Sequence, residues 1–107
     1  EQQQQIDRFK VQVIDMLNFD PNIKLQFNGP VYISIDLDGL DPAFAPGVSH
    51  PEPGGLSTRD ILQIISNVEA DVVGADIVEY NPKKDLNNIT AITAAKLLKE
   101  LMGKMLN

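Results

Sequence analysis

The stretch VYISIDLDGLDPAFAPGVSHPEPGG, residues 31–55, decides how this chain folds. It opens with Val31, Tyr32, Ile33, Ser34 and Ile35, a β-branched and aromatic run suited to a pleated, half-buried surface. A strand is expected over 31–37. Side chains alternate faces along a strand, so Asp36 and Asp38 are expected on one side. Their Cα atoms would lie about 6.6 Å apart at a rise of ~3.3 Å per residue. Two carboxylates that close repel unless a proton or a cation stands between them. Hard oxygen ligands at this spacing suit Mg, Mn or Ca better than zinc. From Gly39 to Gly55 the chain holds four Gly and four Pro, so an irregular but stiff loop follows the strand. A long loop inside a compact domain is usually functional.

Upstream, Ile6, Phe9, Val13, Met16 and Leu17 make one apolar stripe at helical spacing, which predicts a helix over 2–17. Asp20-Pro21 and Asn28-Gly29-Pro30 then mark turns over 18–30. Downstream, Ser57-Thr58-Arg59-Asp60 has the form of a capping box. Ile61, Ile64, Ile65 and Val68 supply the apolar face of a helix to about Glu69. Residues 72–78 read as a second buried strand, ending at Glu79 and followed by Tyr80-Asn81-Pro82. Their near-continuous apolar character suggests a parallel sheet covered on both faces. A last helix is expected from about Asn88, its cap, to Met105, with Ile92, Leu98, Leu101, Met102 and Met105 on its apolar side. Strand–helix–strand implies a βαβ crossover. Two parallel strands do not make a stable sheet alone, so the chain reads as a piece of a larger α/β domain.

With 107 residues, a net charge of −6 and no Cys, the chain has no disulfide framework or thiolate metal site. The negative balance argues against nucleic acid and against anionic membrane surfaces, and is compatible with a metal or a cationic substrate. No apolar run reaches the ~20 residues of a membrane span, and no signal peptide is visible. Asn88-Ile89-Thr90 fits a glycosylation sequon, but a helix cap accounts for Asn88 better.

Ligands in open α/β sheets sit outside the carboxyl ends of the strands. Asp36 and Asp38 end the first strand and Glu79 the second, so parallel neighbours bring all three acids to one rim. Taken singly, Asp38, Asp41 and Glu79 also read as solvated turn residues. His50, the only histidine, is either a substrate contact or proton carrier, or an exposed loop residue. Asp76 reads equally as support for a site or as a buried acid capping a loop amide. An EF-hand loop counted from Asp36 fails, because its sixth and twelfth positions hold Asp41 and Gly47. A phosphatase-type Asp-x-Asp-Gly-Thr loop is nearer, but Leu40 stands where its hydroxyl residue belongs.

Ser34-Ile35-Asp36-Leu37-Asp38, Asp41-Pro42, Pro46-Gly47 and Gly54-Gly55-Leu56 together resemble a signature of the ureohydrolases, the arginase, agmatinase and formiminoglutamase family. Asp76-Ile77-Val78-Glu79-Tyr80-Asn81-Pro82 is similar to that family's Asp-x-x-Glu-x-Asn-Pro segment, and SHPEPGGLS looks like the plant-type arginases. The resemblance implies a three-layer α/β/α fold with a mainly parallel sheet, of which residues 1–107 would form the C-terminal portion of a single arginase-like domain. It implies a two-manganese site in which Asp36 bridges both ions and Asp38 binds one. Glu79 would face the substrate guanidinium and His50 would stand near the substrate. The implied reaction is Mn2+-dependent hydrolysis of L-arginine to urea and ornithine. Agmatine hydrolysis to urea and putrescine is the alternative, as is an inactive fragment or homologue, with the phosphatase-type enzyme behind them. The upstream Gly-Gly-Asp-His and Asp-x-His-x-Asp segments and the proton-shuttling His of that family are absent, so the 107 residues alone are expected to be inactive. A homo-oligomer at full length and an intracellular location, cytoplasmic or mitochondrial, complete the expectation.

Overall fold

A computed structural model describes residues 1–106. The elements run α1 (Gln2–Phe9), β1 (Leu25–Gln26), β2 (Val31–Asp36), α2 (Thr58–Asn67), β3 (Val68–Glu69), β4 (Val72–Val78) and α3 (Ile89–Leu106). Short 3-10 turns occupy Leu37–Gly39 and Pro82–Lys84. β2 pairs with β4 in parallel, and β1 with β3 in parallel. Between the pairs, Phe27 N–H donates to Glu69 O and Val31 N–H to Asp71 O, so the two ladders follow one another along the same two chain segments. The expected β2–α2–β4 crossover is therefore present, and the chain has α/β architecture.

In the β2–β4 register Ile33 pairs with Ala75, Ser34 with Asp76, Ile35 with Ile77 and Asp36 with Val78. Paired residues of a parallel ladder share a face. One face thus carries Ile33, Ile35, Ala75 and Ile77, which join Ile61, Ile65, Leu97 and Leu101 in the core. The other carries Tyr32, Ser34, Asp36 and Asp76. Among the described residues the core helices α2 and α3 meet only the first face, so two of the three expected layers are present. An apolar groove of about 240 Å³, lined by Ile33, Ile35, Leu56, Ile61 and Ile64 and also by Asp36, lies between β2 and α2.

The capping box forms as expected. Ser57 Oγ accepts from Asp60 N–H, and Asp60 Oδ2 accepts from Ser57 N–H. Three expectations need correction. The first helix ends at Phe9, with Lys10 left-handed at φ 54°, instead of reaching residue 17. Its apolar stripe has no surface to bury against, since Phe9 is 63% and Leu17 96% exposed, and a helix without tertiary packing propagates poorly. On α3 the buried seam is Leu97 and Leu101, while Ile92, Leu98 and Met102 are exposed. The cap of α3 is Asp85, whose carboxylate accepts from Thr90 and Ala91 N–H; Asn88 instead adopts a left-handed φ of 61°. Thr90, the hydroxyl residue of the sequon, is fully buried, and its Oγ1 accepts from Gly47 N–H at 2.7 Å. No helix among the described residues is long and apolar enough to cross a membrane.

The loop after β2 is closed at its base. Leu40 bridges Leu56, Asp41 N–H donates to Leu56 O and Leu56 N–H to Gly39 O. Leu37 and Leu40 are buried to within 1%, each contributing roughly 1.5–3 kcal/mol of apolar burial. Asp41 spans the loop, accepting from Ala43 N–H and Gly54 N–H. Those two bonds, Ala43 first, hold its carboxyl below the usual aspartate range. Gly55 permits the closure: a Cβ there would lie 2.7 Å from Asp41 N, 2.8 Å from the Leu40 carbonyl carbon and 2.9 Å from Gly39 O. All three are backbone atoms that cannot swing aside. Gly55→Ala is expected to destabilise by about 1–3 kcal/mol, the range for forced overpacking, read from urea unfolding midpoints. An unchanged midpoint would show that the loop base can relax.

Candidate metal and substrate site

The site is built at the carboxyl end of the β2–β4 pair. Asp36 is the last residue of β2, opposite Val78, and Glu79 follows Val78 directly. The parallel register therefore brings Asp36 and Glu79 to one rim. Asp38 reaches this region by a different route from the one its spacing suggests. The strand stops at Asp36 because Asp36 Oδ1 accepts from Asp38 N–H at 2.8 Å, starting the Leu37–Gly39 turn. The turn, anchored by buried Leu37 and Leu40, orients Asp38 in place of strand alternation.

Asp38 Oδ1 is buried and has no hydrogen-bond partner. A buried carboxylate oxygen without a donor is costly. Such an oxygen fits a hard divalent cation, which takes carboxylate oxygens directly. Among the described residues no cluster of three or more His, Cys, Asp or Glu is placed to hold an ion by itself.

Glu79 is exposed and adopts φ 74°, a left-handed conformation unusual for a residue with a side chain. Such outliers persist where the surrounding structure determines them. Here the following residues are pinned. Tyr80 Oη donates to Asp85 Oδ2 at 2.9 Å, and Asn81 N–H donates to Gly47 O at 2.8 Å. Burial pushes the Asp85 carboxyl up, but the Thr90 and Ala91 amides and the Tyr80 and Thr90 hydroxyls outweigh it and lower it to about 2. The Asp85 hydrogen bond in turn raises the Tyr80 phenol.

His50 is exposed in the proline-rich loop, next to Ser49, whose Oγ accepts from Asn81 Nδ2 at 3.0 Å. The structure thus ties the His50 loop to the segment that carries Glu79. Asp76 does not cap a loop amide. Its carboxylate accepts from Tyr32 Oη at 2.9 Å and Ser34 Oγ at 2.5 Å, bracing β4 against β2 on the open face. That bond raises the Tyr32 phenol. Leu40, where a phosphatase-type loop needs a hydroxyl, is a core residue at 1% exposure. Gly47 and Asn81 stand within the quoted motifs, but their contact with one another, and Asp85 altogether, carry no local signal because the partners lie on other elements.

A model of the arginase family matches residues 1–103. The chain is 53% identical over 113 residues to mitochondrial arginase 1 of Arabidopsis thaliana, covering 98% of this chain and 33% of that protein. It is 44% identical over 81 residues to an agmatinase of Chromobacterium violaceum, covering 75% of this chain and 25% of the other. The solved arginase of Medicago truncatula superposes with a TM-score of 0.89 at 46% identity, over 97% of this chain and 35% of that one. The chain spans about a third of the length of the Arabidopsis relative.

Proposed function

Because this chain belongs to the arginase family, we propose that its whole protein is a manganese-dependent ureohydrolase that converts L-arginine to urea and ornithine. In this reading residues 1–107 form the C-terminal portion of a single arginase-like domain with three α/β/α layers. The observation that carries the proposal is the rim itself: Asp36, the partnerless Asp38 Oδ1 and the left-handed Glu79 at the ends of adjacent parallel strands and the turn between them.

Asp36 and Asp38 would hold Mn2+, with Asp36 shared between two ions. Paired divalent ions, when bound, lower the pKa of water and polarise the group under attack. The protein's own residues do the rest. The Glu79 carboxylate offers the guanidinium a charge-assisted contact of matching geometry. Its fixed backbone presents that contact without reorganisation, which is how positioning lowers a barrier. His50, on the loop clamped beside Glu79, would line the substrate's approach. The net charge of −6 favours a cationic substrate.

Agmatine is the second reading, favoured by the 44% identity to an agmatinase and 45% identity over 75 residues to a guanidinobutyrase of Pseudomonas aeruginosa. The relatives' names support an organellar protein, since those from Arabidopsis and Medicago are called mitochondrial. A homo-oligomer at full length remains part of the proposal. The test is urea release by the natural full-length protein with Mn2+, from L-arginine and from agmatine. Preference for arginine supports the first reading, preference for agmatine the second, and no urea from either overturns both.

A further inference from the structure

Resting on the ureohydrolase reading, we propose that Asn81 is a positioning residue that fixes Glu79 and the His50 loop as one unit. Asn81 ties its backbone and both ends of its side-chain amide into this region. Its backbone N–H donates to Gly47 O at 2.8 Å, and its Nδ2 donates to Ser49 Oγ at 3.0 Å. Its Oδ1 accepts from Lys83 N–H at 3.1 Å, which sets the orientation of the amide. Two contacts run to residues 47 and 49, either side of Val48 and directly before His50. Asn81 itself stands two residues after Glu79.

The far end of the clamp is equally tight. Gly47 N–H donates to the buried Thr90 Oγ1 at 2.7 Å. A Cβ on Gly47 would meet that oxygen at 2.9 Å and the Asp85 Cβ and Cγ at 3.0 Å, so only glycine allows this approach. Glu79 is therefore held from both sides: by the β4 ladder before it, and by Tyr80 on Asp85 and Asn81 on the loop after it. Its φ of 74° is the conformation that satisfies both anchors. Loss of the Asn81 side chain leaves its N–H to Gly47 O bond in place but loosens the segment after Glu79 from Ser49 and the loop bearing His50. Substrate binding then suffers while Asp36 and Asp38, on the other strand and its turn, keep their places.

The experiment compares Asn81→Ala, Ser49→Ala and Glu79→Gln in the Mn2+-loaded full-length protein, with the better of L-arginine and agmatine as substrate. Asn81→Ala removes two side-chain hydrogen bonds, to Ser49 and from Lys83, and is expected to raise KM about tenfold, with manganese content unchanged. Ser49 is exposed, so Ser49→Ala folds without penalty and should raise KM by a smaller factor at an unchanged Tm. His50→Ala should cost less in the Asn81→Ala background than alone, because the loop next to His50 is already loosened at Ser49. A merely structural Asn81 would lower Tm and leave KM at its original value. Unchanged KM in both Asn81→Ala and Ser49→Ala, with KM raised in Glu79→Gln, overturns the positioning role and leaves the ureohydrolase reading standing. Unchanged kinetics in Glu79→Gln as well removes Glu79 from substrate binding and overturns the positioning role with it, while the urea released still supports the ureohydrolase reading.

Discussion

Asp36→Ala is expected to abolish urea release in the full-length protein and to lose more bound manganese than Asp38→Ala. Two separate effects add here. On the proposed reading Asp36 would be shared between two ions, so its removal would weaken both sites, whereas Asp38 would serve one. Asp36 also receives the Asp38 N–H, so its loss unfastens the turn that aims Asp38. The loss of activity should exceed the roughly 10–100-fold that follows removal of a residue merely supporting a ligand. Asp36→Asn separates the two effects, because an amide oxygen still accepts from Asp38 N–H but carries no charge. It is expected to keep the stability of the metal-free protein and still fail to bind manganese tightly. Asp38→Ala has a second signature. It removes the buried oxygen that lacks a donor, so the metal-free protein should melt higher, not lower. Manganese titration and thermal melts with and without metal read all three variants. Equal manganese loss in Asp36→Ala and Asp38→Ala would remove the bridging role from Asp36.

The parts of this fold that sequence made legible are those governed by local chemistry or strict period. β2, the Ser57–Asp60 box, β4 and the crossover between them all follow from runs of fewer than a dozen residues. The meeting of Asp36 and Glu79 on one rim followed from parallel pairing alone. The route of Asp38 did not, since an aspartate at a strand end also closes a turn through its own side chain. The spacing Asp-x-Asp is the same in either case, and only the Asp36 Oδ1 to Asp38 N–H bond decides between them. The stripe over Ile6–Leu17 misled for a different reason. Amphipathic period marks a helix only when another surface takes the apolar face, and none among the described residues does so. The Leu25–Gln26 strand is two residues long, too short to carry a period. Asp85 as the cap of α3 lies five residues before its Thr90 partner, beyond the spacing at which a cap is read from sequence. The clamp between Gly47 and Asn81 joins residues 34 apart in the chain, and no local pattern encodes it.

Glu79→Gln is expected to lower kcat/KM by at least about a hundredfold, as for a charge-assisted bond lost from a guanidinium, together with its positioning effect. Manganese content should stay intact, because Glu79 stands beyond Val78 on the neighbouring strand and is assigned no metal contact. The backbone at this position supplies a sharper test. A left-handed φ costs a residue with a Cβ roughly 1–2 kcal/mol, and glycine avoids the cost. Glu79→Gly should therefore melt higher than Glu79→Ala while both lose guanidinium recognition alike. A residue whose replacement by glycine relieves strain yet removes function is one where strain is retained for the sake of its side chain. The measurements are Tm and kcat/KM for Glu79→Gln, Glu79→Ala and Glu79→Gly in the full-length protein. Manganese loss in Glu79→Gln equal to that in Asp36→Ala would make Glu79 a ligand. Equal melting of the alanine and glycine variants would show that the chain relaxes out of φ 74° once the carboxylate is gone, so that the side chain itself, and not the Tyr80 and Asn81 anchors, imposes the conformation.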